Sequence, residues 1–305
     1  MSRRIAYYEY GGPEVLRIEE ESLPQPGVDE LIVRNEVIGV NPIDWKMIAG
    51  AFRHQDPHPF PGVPGWASVG TVEEVGASVQ HLRPGQKVIV GSRAGSYRER
   101  QLVNSRYVVA LPPGLPIDQA AGLPSSAVAG YSIIHQLGIT ADDVFLIHGA
   151  AGSVGSAAAQ IAIAQGATVI GSASASNHDF LRSLGVIPVE YGPNLIADVR
   201  AIAQPTAVAD AVGGQEPAEA TRALLSVHPD MRTVTVWGTQ YSHDAGIPGL
   251  SHPEDELERT VEYALQGALT VRIAADYAFD DVQQALKASM TMHTPGKILL
   301  RVQHD

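Results

Sequence analysis

Between Val144 and Asn177 the chain runs for 34 residues without an aspartate, glutamate, lysine or arginine. A stretch that long without charge belongs either in a membrane or in the middle of a domain. A spanning helix needs about 20 mostly apolar residues in one run, whereas here Gly149, Gly152, Gly155, Gly166 and Gly171 break the sequence repeatedly. The segment therefore reads as strand, turn, helix and strand inside one domain. Val144-Phe-Leu-Ile-His148 is a short apolar run of strand length. After Ser153, the residues Val154, Ala157, Ile161 and Ala164 recur at helical spacing. Ala167-Thr-Val-Ile170 is the next strand.

The turn between them, His148-Gly-Ala-Ala-Gly-Ser-Val-Gly155, follows a strand and opens a helix, as a dinucleotide-binding loop requires. Gly152 lets backbone approach a pyrophosphate, and Gly155 lets the helix pack on the sheet. The free amides of the first helical turn, with the helix dipole, attract phosphate. Ala150 occupies the first position of the strict G-x-G-x-x-G pattern, and a tight strand–helix turn without ligand is the alternative. NAD binders place an acid about 20 residues further on. Here that place holds Gly171-Ser-Ala-Ser174, with no acid before Asp179. The expectation is therefore NADP(H), with Ser172, Ser174 and Asn177 as donors to a 2′-phosphate. The competing explanation is that Ser176 or Asn177 only caps the next helix.

The flanking regions have a different rhythm. Leu31–Ile38, Val69–Val75 and Lys87–Val90 read as strands. Pro24, Pro26-Gly27, Pro61-Gly62, Pro64-Gly65, Pro84-Gly85 and Pro112-Pro113-Gly114 read as turns. Together they suggest an antiparallel, strongly bent β domain. From about residue 120, strands alternate with helices: a helix starts at Asn177 and stops at Gly185, and strands follow at Ala207–Val212 and Thr233–Val236. Alternation of buried strands and helices implies a parallel, doubly wound sheet. A helix over Phe279–Ala288 and a strand over Lys297–Val302 return to the first domain. The expected division is 1–120 with 274–305, and 121–273.

The chain also resembles the zinc-independent quinone oxidoreductase (zeta-crystallin-like) branch of the medium-chain dehydrogenase/reductase superfamily. The resemblance is carried by Gly11-Gly-Pro-Glu-Val-Leu16, Gly39-Val-Asn-Pro-Ile-Asp-Trp-Lys46, Pro61-Gly-Val-Pro-Gly65, Val72-Glu-Glu-Val-Gly76, Arg83-Pro-Gly-Gln-Lys-Val88, Gly149–Gly155, Asn177–Gly185, Asp210-Ala-Val-Gly-Gly214 and Pro295-Gly-Lys-Ile298, in family order. It implies an α/β architecture with a GroES-like β domain plus a Rossmann domain with its doubly wound parallel sheet, NADPH as cofactor, and a homodimer. By the same resemblance, Asn41, Ala151, Gly152, Ser153, Val154, Ser172, Ser174, Asn177, Tyr191, Val212, Gly213, Trp237, Gly238 and Lys297 are candidate cofactor contacts. The chain departs from many relatives at Ser176, where they carry a basic residue, at Ala129, where they carry threonine, and at Lys46, where some carry tyrosine.

Several chemistries are excluded. With no cysteine, disulfides, thiolate nucleophiles and cysteine-ligated zinc are ruled out. Gly65-Trp-Ala67 stands where zinc relatives have Gly-His-Glu, so no metal is expected. The eleven histidines, His54 and His58 among them, read as loop or surface residues. There is no G-x-S-x-G elbow for a serine hydrolase. Acidic residues outnumber basic ones 33 to 21, for a net charge of −12, opposite to what nucleic acid or an anionic membrane would select. No signal-peptide pattern follows Arg3-Arg4, and a cytoplasmic enzyme is expected.

Asn41-Pro-Ile-Asp44 reads structurally as a helix start, with Asn41 as cap, Pro42 at the first position and Asp44 three residues on. Family resemblance places Asn41 near the nicotinamide as well. Trp45, Phe52 and Tyr131 are candidate walls of a substrate pocket, and the loops 51–56 and 240–244 are candidates for shaping it. Lys46 is the candidate donor to the oxygen that gains charge when a quinone or enone accepts hydride. An enoyl-thioester reductase and a non-catalytic NADPH-binding protein are the competing functions.

Overall fold

The computed structural model describes residues 2–54, 59–93, 95–291 and 296–304. Of the positions named above, His58, residues 55–56 and Pro295 lie outside the described residues. The chain forms two compact units, Met1–Ser125 with Val271–Asp305, and Ser126–Thr270.

The first unit opens with β1 (Ser2–Ala6), antiparallel to β2 (Arg17–Glu21). Next come β3 (Glu30–Val40), α1 (Pro42–Ile48), β4 (Ser68–Val75), β5 (Lys87–Val90), β6 (Arg100–Asn104), β7 (Val108–Ala110) and α2 (Ile117–Gly122). The long strand β3 is rich in branched residues and organises the sheet. One edge pairs with β4, with register shifts at Ile32/Val33 and Asn35/Val37. The other edge is shared, Glu30–Arg34 pairing with β6.

The second unit contains α3 (Val128–Leu137), β8 (Val144–His148), α4 (Ser153–Ala164), β9 (Thr168–Ala173), α5 (His178–Ser183), β10 (Ile187–Glu190), α6 (Leu195–Ile202), β11 (Ala207–Asp210), α7 (Gln215–Leu225), β12 (Arg232–Thr235), α8 (Gln240–Asp244) and α9 (Glu256–Leu265). Its five strands are all parallel, in the order β10-β9-β8-β11-β12. That is a doubly wound parallel sheet, whose strand order reverses between β8 and β11. Leu146, Ile170, Val189, Val199, Val208 and Leu224 are buried together in its core.

The chain then returns to the first unit with β13 (Ile273–Ala278), α10 (Val282–Met290) and β14 (Lys297–Arg301). β14 inserts between β13 and β3, parallel to the former and antiparallel to the latter. Gln119 helps to anchor the return. Its side chain donates to the Val271 carbonyl (2.9 Å) and accepts from the Val271 amide (2.7 Å), which places 271 in the first unit.

Four local expectations shift. β11 stops at Asp210 rather than Val212, because the Asp210 carboxylate accepts hydrogen bonds from the Val212 and Gly213 amides (both 2.9 Å) and turns the chain. Ala164 is exposed, and α4 is instead buried around most of its middle, from Gly155 through Ala157–Ala162. The segment from Phe279 begins as a 3₁₀ turn, and the α-helix starts only at Val282. Asn177 precedes α5 without capping it through its side chain, which donates to Ser174 Oγ instead (2.9 Å).

The β8–α4 turn is closely packed. Gly149 has φ +76°, a left-handed conformation that favours glycine. A Cβ on Gly155 would lie 2.2 Å from the Gly149 carbonyl oxygen and 2.8 Å from Ala150 Cα. Both are backbone atoms that cannot swing aside. Gly155→Ala is expected to destabilise the protein by about 1–3 kcal/mol through overpacking. A urea midpoint equal to that of the wild type would contradict this account of the turn.

Candidate functional site

α4 begins one four-residue turn after β8; as at any helix start, the amides of its first turn (Ser153, Val154, Gly155) have no intrahelical acceptor and carry the positive end of the helix dipole. Beside them lies a cavity of about 360 Å³, within the usual range of small-ligand pockets (about 300–1,000 Å³). It brings together seven residues expected from the sequence: Ala151, Gly152, Ser172, Ser174, Asn177, Tyr191 and Val212. They come from the ends of β8, β9, β10 and β11, the side of an open parallel sheet on which ligands bind. Gly213 follows in the turn that Asp210 fixes, and the Trp237 amide is tied to Thr235 Oγ1 (3.3 Å), which in turn donates to Asp210 (3.2 Å). Gly213 therefore adjoins the cavity, while Trp237 and Gly238 continue from the end of β12 and do not line it.

Gly152 differs from its neighbours. Its backbone (φ −73°, ψ 166°) suits any residue, and a Cβ there would meet nothing closer than the Gly149 oxygen at 3.4 Å. Nothing inside the protein demands glycine at 152. Its missing side chain instead keeps open the space beside the first-turn amides, as a phosphate-bearing ligand requires. A nicotinamide dinucleotide fits this set of groups. Its phosphates match the amides, and its adenosine half matches the hydroxyl-lined cavity.

The cavity is almost free of charge. Among the described residues lining it, Glu216 is the one charged side chain, and none is lysine or arginine. At its rim Asn177 Nδ2 donates to Ser174 Oγ (2.9 Å), which is also 3.1 Å from Ser176 Oγ. Its floor holds His148, which sequence reading left without a role. Burial drives the His148 imidazole down to about pKa 4, against the opposing pull of Asp210, so the ring is neutral. It contacts Thr221 Oγ1 through Nε2 (3.2 Å) and Ser172 Oγ through Nδ1 (3.4 Å). The available signal was its place as the last residue of the strand before the glycine turn. Thr221, in mid-helix, gave none.

In the first unit, the candidate cofactor residues Asn41 and Lys297 are bonded to each other. Asn41 is 1% exposed and Lys297 2% exposed. Lys297 Nζ donates to Asn41 Oδ1, while Asn41 Nδ2 donates to the Gly39 carbonyl (3.0 Å). Asp44 accepts from the Asn41 amide (2.8 Å) and from the Tyr97 hydroxyl (3.0 Å). Asn41 thus starts α1 with Pro42 and Asp44 in their helix-start roles, and its amide is bonded at both ends inside the unit. Burial raises the Asp44 carboxyl to about 7 despite these bonds and the Lys297 charge. Burial also lowers the Lys297 ammonium to about 8, opposed by Asp44.

Lys46 and Trp45 follow on α1. Lys46 Nζ lies 5.6 Å from the centre of the Trp45 ring, and burial lowers the lysine's pKa. Trp45 packs on the core that includes Ile48, Tyr97 and Leu300, while Phe52 is partly buried just beyond α1. Tyr131 does not join the glycine-turn cavity. It faces α9 across a second cavity of the same unit, stacked on His135 (5.9 Å) and 6.3 Å from Tyr263, because its side of α3 packs towards α9. Trp66 carries Arg93 over its ring at 4.4 Å. Among the described residues no three histidines, aspartates or glutamates cluster as metal ligands would, and no helix is long and apolar enough to cross a membrane.

Known proteins resemble the chain in sequence and in fold. Residues 27–113 match the alcohol dehydrogenase GroES-like domain. The quinone oxidoreductase of Salmonella typhimurium is 35% identical over 176 residues, covering 56% of this chain and 52% of that protein. The chain spans about half the length of the first curated relatives it matches. In fold it resembles the quinone oxidoreductase from Coxiella burnetii (TM-score 0.85, 24% identity, 99% of both chains). It also resembles the CurK enoyl reductase (TM-score 0.84, 21% identity, 99% of both chains).

The buried pair in the first unit has a signed pH consequence. The fold raises the Asp44 pKa from 3.8, so that group's stabilising contribution is present below about pH 4 and lost as pH rises to about 7. The fold lowers the Lys297 pKa from 10.5, so its contribution is present above about pH 10.5 and lost as pH falls to about 8. Wild-type stability minus that of the double variant Asp44→Asn, Lys297→Met should therefore be smallest between about pH 7 and 8 and rise on both sides. Denaturant titrations across this range check it, and a flat difference would remove the pair from the pH response.

Proposed function

We propose that this chain, a quinone oxidoreductase-like member of the medium-chain dehydrogenase/reductase superfamily, is a zinc-independent reductase that uses NADPH to reduce a quinone or another α,β-unsaturated carbonyl. The observation that carries the proposal is Gly152, a glycine with no internal reason to be one, beside unpaired helix-start amides and a cavity without a lysine or arginine among its described lining residues. The amides of Ser153, Val154 and Gly155 hold the pyrophosphate, and the cavity takes the adenosine half. Ser174 and Asn177, at the rim, receive the 2′-phosphate. The absence of an acid from the end of β9 supports NADPH over NADH. Among the described residues no cation lines the cavity, which implies that the preference is modest.

The bound nicotinamide supplies the hydride. What remains for the protein is to orient the acceptor and to stabilise the charge that develops on its oxygen. Lys46, beside Trp45 on α1, is the proposed donor to that oxygen, and Trp45 and Phe52 are apolar walls. Zinc independence rests on the donor set: the chain lacks cysteine, and Trp66 with Arg93 stacked on it occupies the Gly-x-x stretch where zinc relatives carry a ligand histidine. A cytoplasmic homodimer completes the proposal by family resemblance. Similarity in fold to an enoyl reductase supports an enoyl thioester as the second candidate acceptor.

The test is oxidation of NADPH, with NADH as comparator, against a benzoquinone, a short enone and a crotonyl thioester. Gly152→Val should leave the urea midpoint unchanged and weaken NADPH binding by at least about tenfold, since a side chain there displaces phosphate from the amides. Lys46→Met should lower kcat/KM by at least about tenfold, with NADPH affinity unchanged. Tight NADPH binding with no turnover of any acceptor would mark a non-catalytic binding protein, and no binding at millimolar NADPH would end the proposal.

A further inference from the structure

We infer that Ser172 presents a lone pair, not a hydrogen, to the cavity, and so accepts a hydrogen bond from a ribose hydroxyl and disfavours phosphate, an inference that rests on the nucleotide-binding reading above. The polarity follows from a chain of four groups in which each proton is already assigned. Thr221 Oγ1 donates to the Pro217 carbonyl one helical turn earlier (2.8 Å). With that proton committed, the Thr221 oxygen can only accept from His148 Nε2, 3.2 Å away. The ring hydrogen therefore sits on Nε2, and a neutral imidazole leaves Nδ1 as an acceptor.

Ser172 Oγ is 3.4 Å from that Nδ1 and supplies the hydrogen it lacks. The two residues face each other across paired strands, His148 on β8 and Ser172 on β9, and both line the cavity. Ser172 is 3% exposed and His148 2%, so neither has room to turn away. A hydroxyl has one hydrogen and two lone pairs. Once the hydrogen points at His148, only lone pairs remain for a ligand. A sugar hydroxyl can donate to them, whereas a phosphate brings further acceptors and no donor. Ser172 therefore cannot serve the 2′-phosphate as sequence reading expects. That group is left to Ser174 and Asn177, and Ser172 takes a neighbouring hydroxyl of the same ribose.

The experiment measures calorimetric binding of ADP, 2′-deoxy-ADP and 3′-deoxy-ADP to the full chain. Wild type should bind ADP about tenfold more tightly than at least one deoxy analogue, the scale of a lost hydrogen bond that leaves its partner unsatisfied. Ser172→Ala should erase that discrimination while binding the affected analogue within about twofold of wild type. Thr221→Val removes the acceptor that fixes Nε2–H, lets the ring carry its hydrogen on Nδ1, and turns Ser172 into a donor. In that variant the ribose-to-deoxyribose ratio should fall, and affinity for adenosine 2′,5′-bisphosphate relative to ADP should rise by about threefold or more. Equal binding of ADP and both deoxy analogues by wild type overturns the inference, as does a ratio unchanged in Ser172→Ala, and this variant decides alone if Thr221→Val does not fold. Failure of wild type to bind any of these nucleotides overturns the nucleotide-binding reading itself.

Discussion

A carbonyl oxygen lies 2.2 Å from where a side chain at residue 155 would begin, and the second unit is arranged around that contact. It packs the first turn of α4 against the Gly149–Ala150 backbone of the four-residue turn after β8. The first-turn amides then emerge at the mouth of the sheet rather than to one side of it. The Ala150 amide donates to the Ser172 carbonyl (3.0 Å), which fastens the turn to β9 and brings the two strand ends level. His148 and Ser172 consequently lie opposite each other. Moving the helix start would displace the first-turn amides and the polar floor together.

The two units handle buried polarity differently. Beneath the glycine turn, neutral His148, Ser172 and Thr221 are linked by hydrogen bonds beside the Asp210 carboxylate, which the Val212 and Gly213 amides hold, so hydrogen bonds meet the cost of burial. In the first unit, Asp44 and Lys297 share a core with Tyr97 and Asn41. There burial opposes the charged form of both ionisable partners, which brings their titrations close to neutrality. An uncharged floor keeps the same hydrogen-bonding pattern over a wide pH range, while a buried ion pair does not.

Much of this was legible in the sequence because local chemistry decided it. Val144–His148 is apolar, bounded and followed by a glycine turn, and the strand has those limits. Asn41-Pro-Ile-Asp44 starts a helix because each residue type suits its position. Reading failed where a side chain acted on distant backbone or where three dimensions chose among equivalent faces. Asp210 ended β11 early by accepting from two amides ahead of it. Ala164 fits a helical repeat and is nonetheless exposed, since α4 is covered around its middle and not at its end. Lys297 was a candidate cofactor contact by resemblance alone, and its burial against Asn41 is set by the fold. The direction of the Ser172 hydroxyl depends on Pro217 and Thr221, more than forty residues away in the chain, and no spacing rule encodes it.

β14 is bonded on both edges, to β13 and to half of β3, so the seven-stranded sheet stays open along β3 until residues 297–301 have emerged from the ribosome. Residues 126–270 already contain every strand of their own sheet by then. Domains commonly fold in order of synthesis; in this chain the later-made unit can close first. The earlier-made strand β3 must wait with a vacant edge, the kind of surface on which nascent chains aggregate, and it is the newborn polypeptide that has most need of a chaperone's cover.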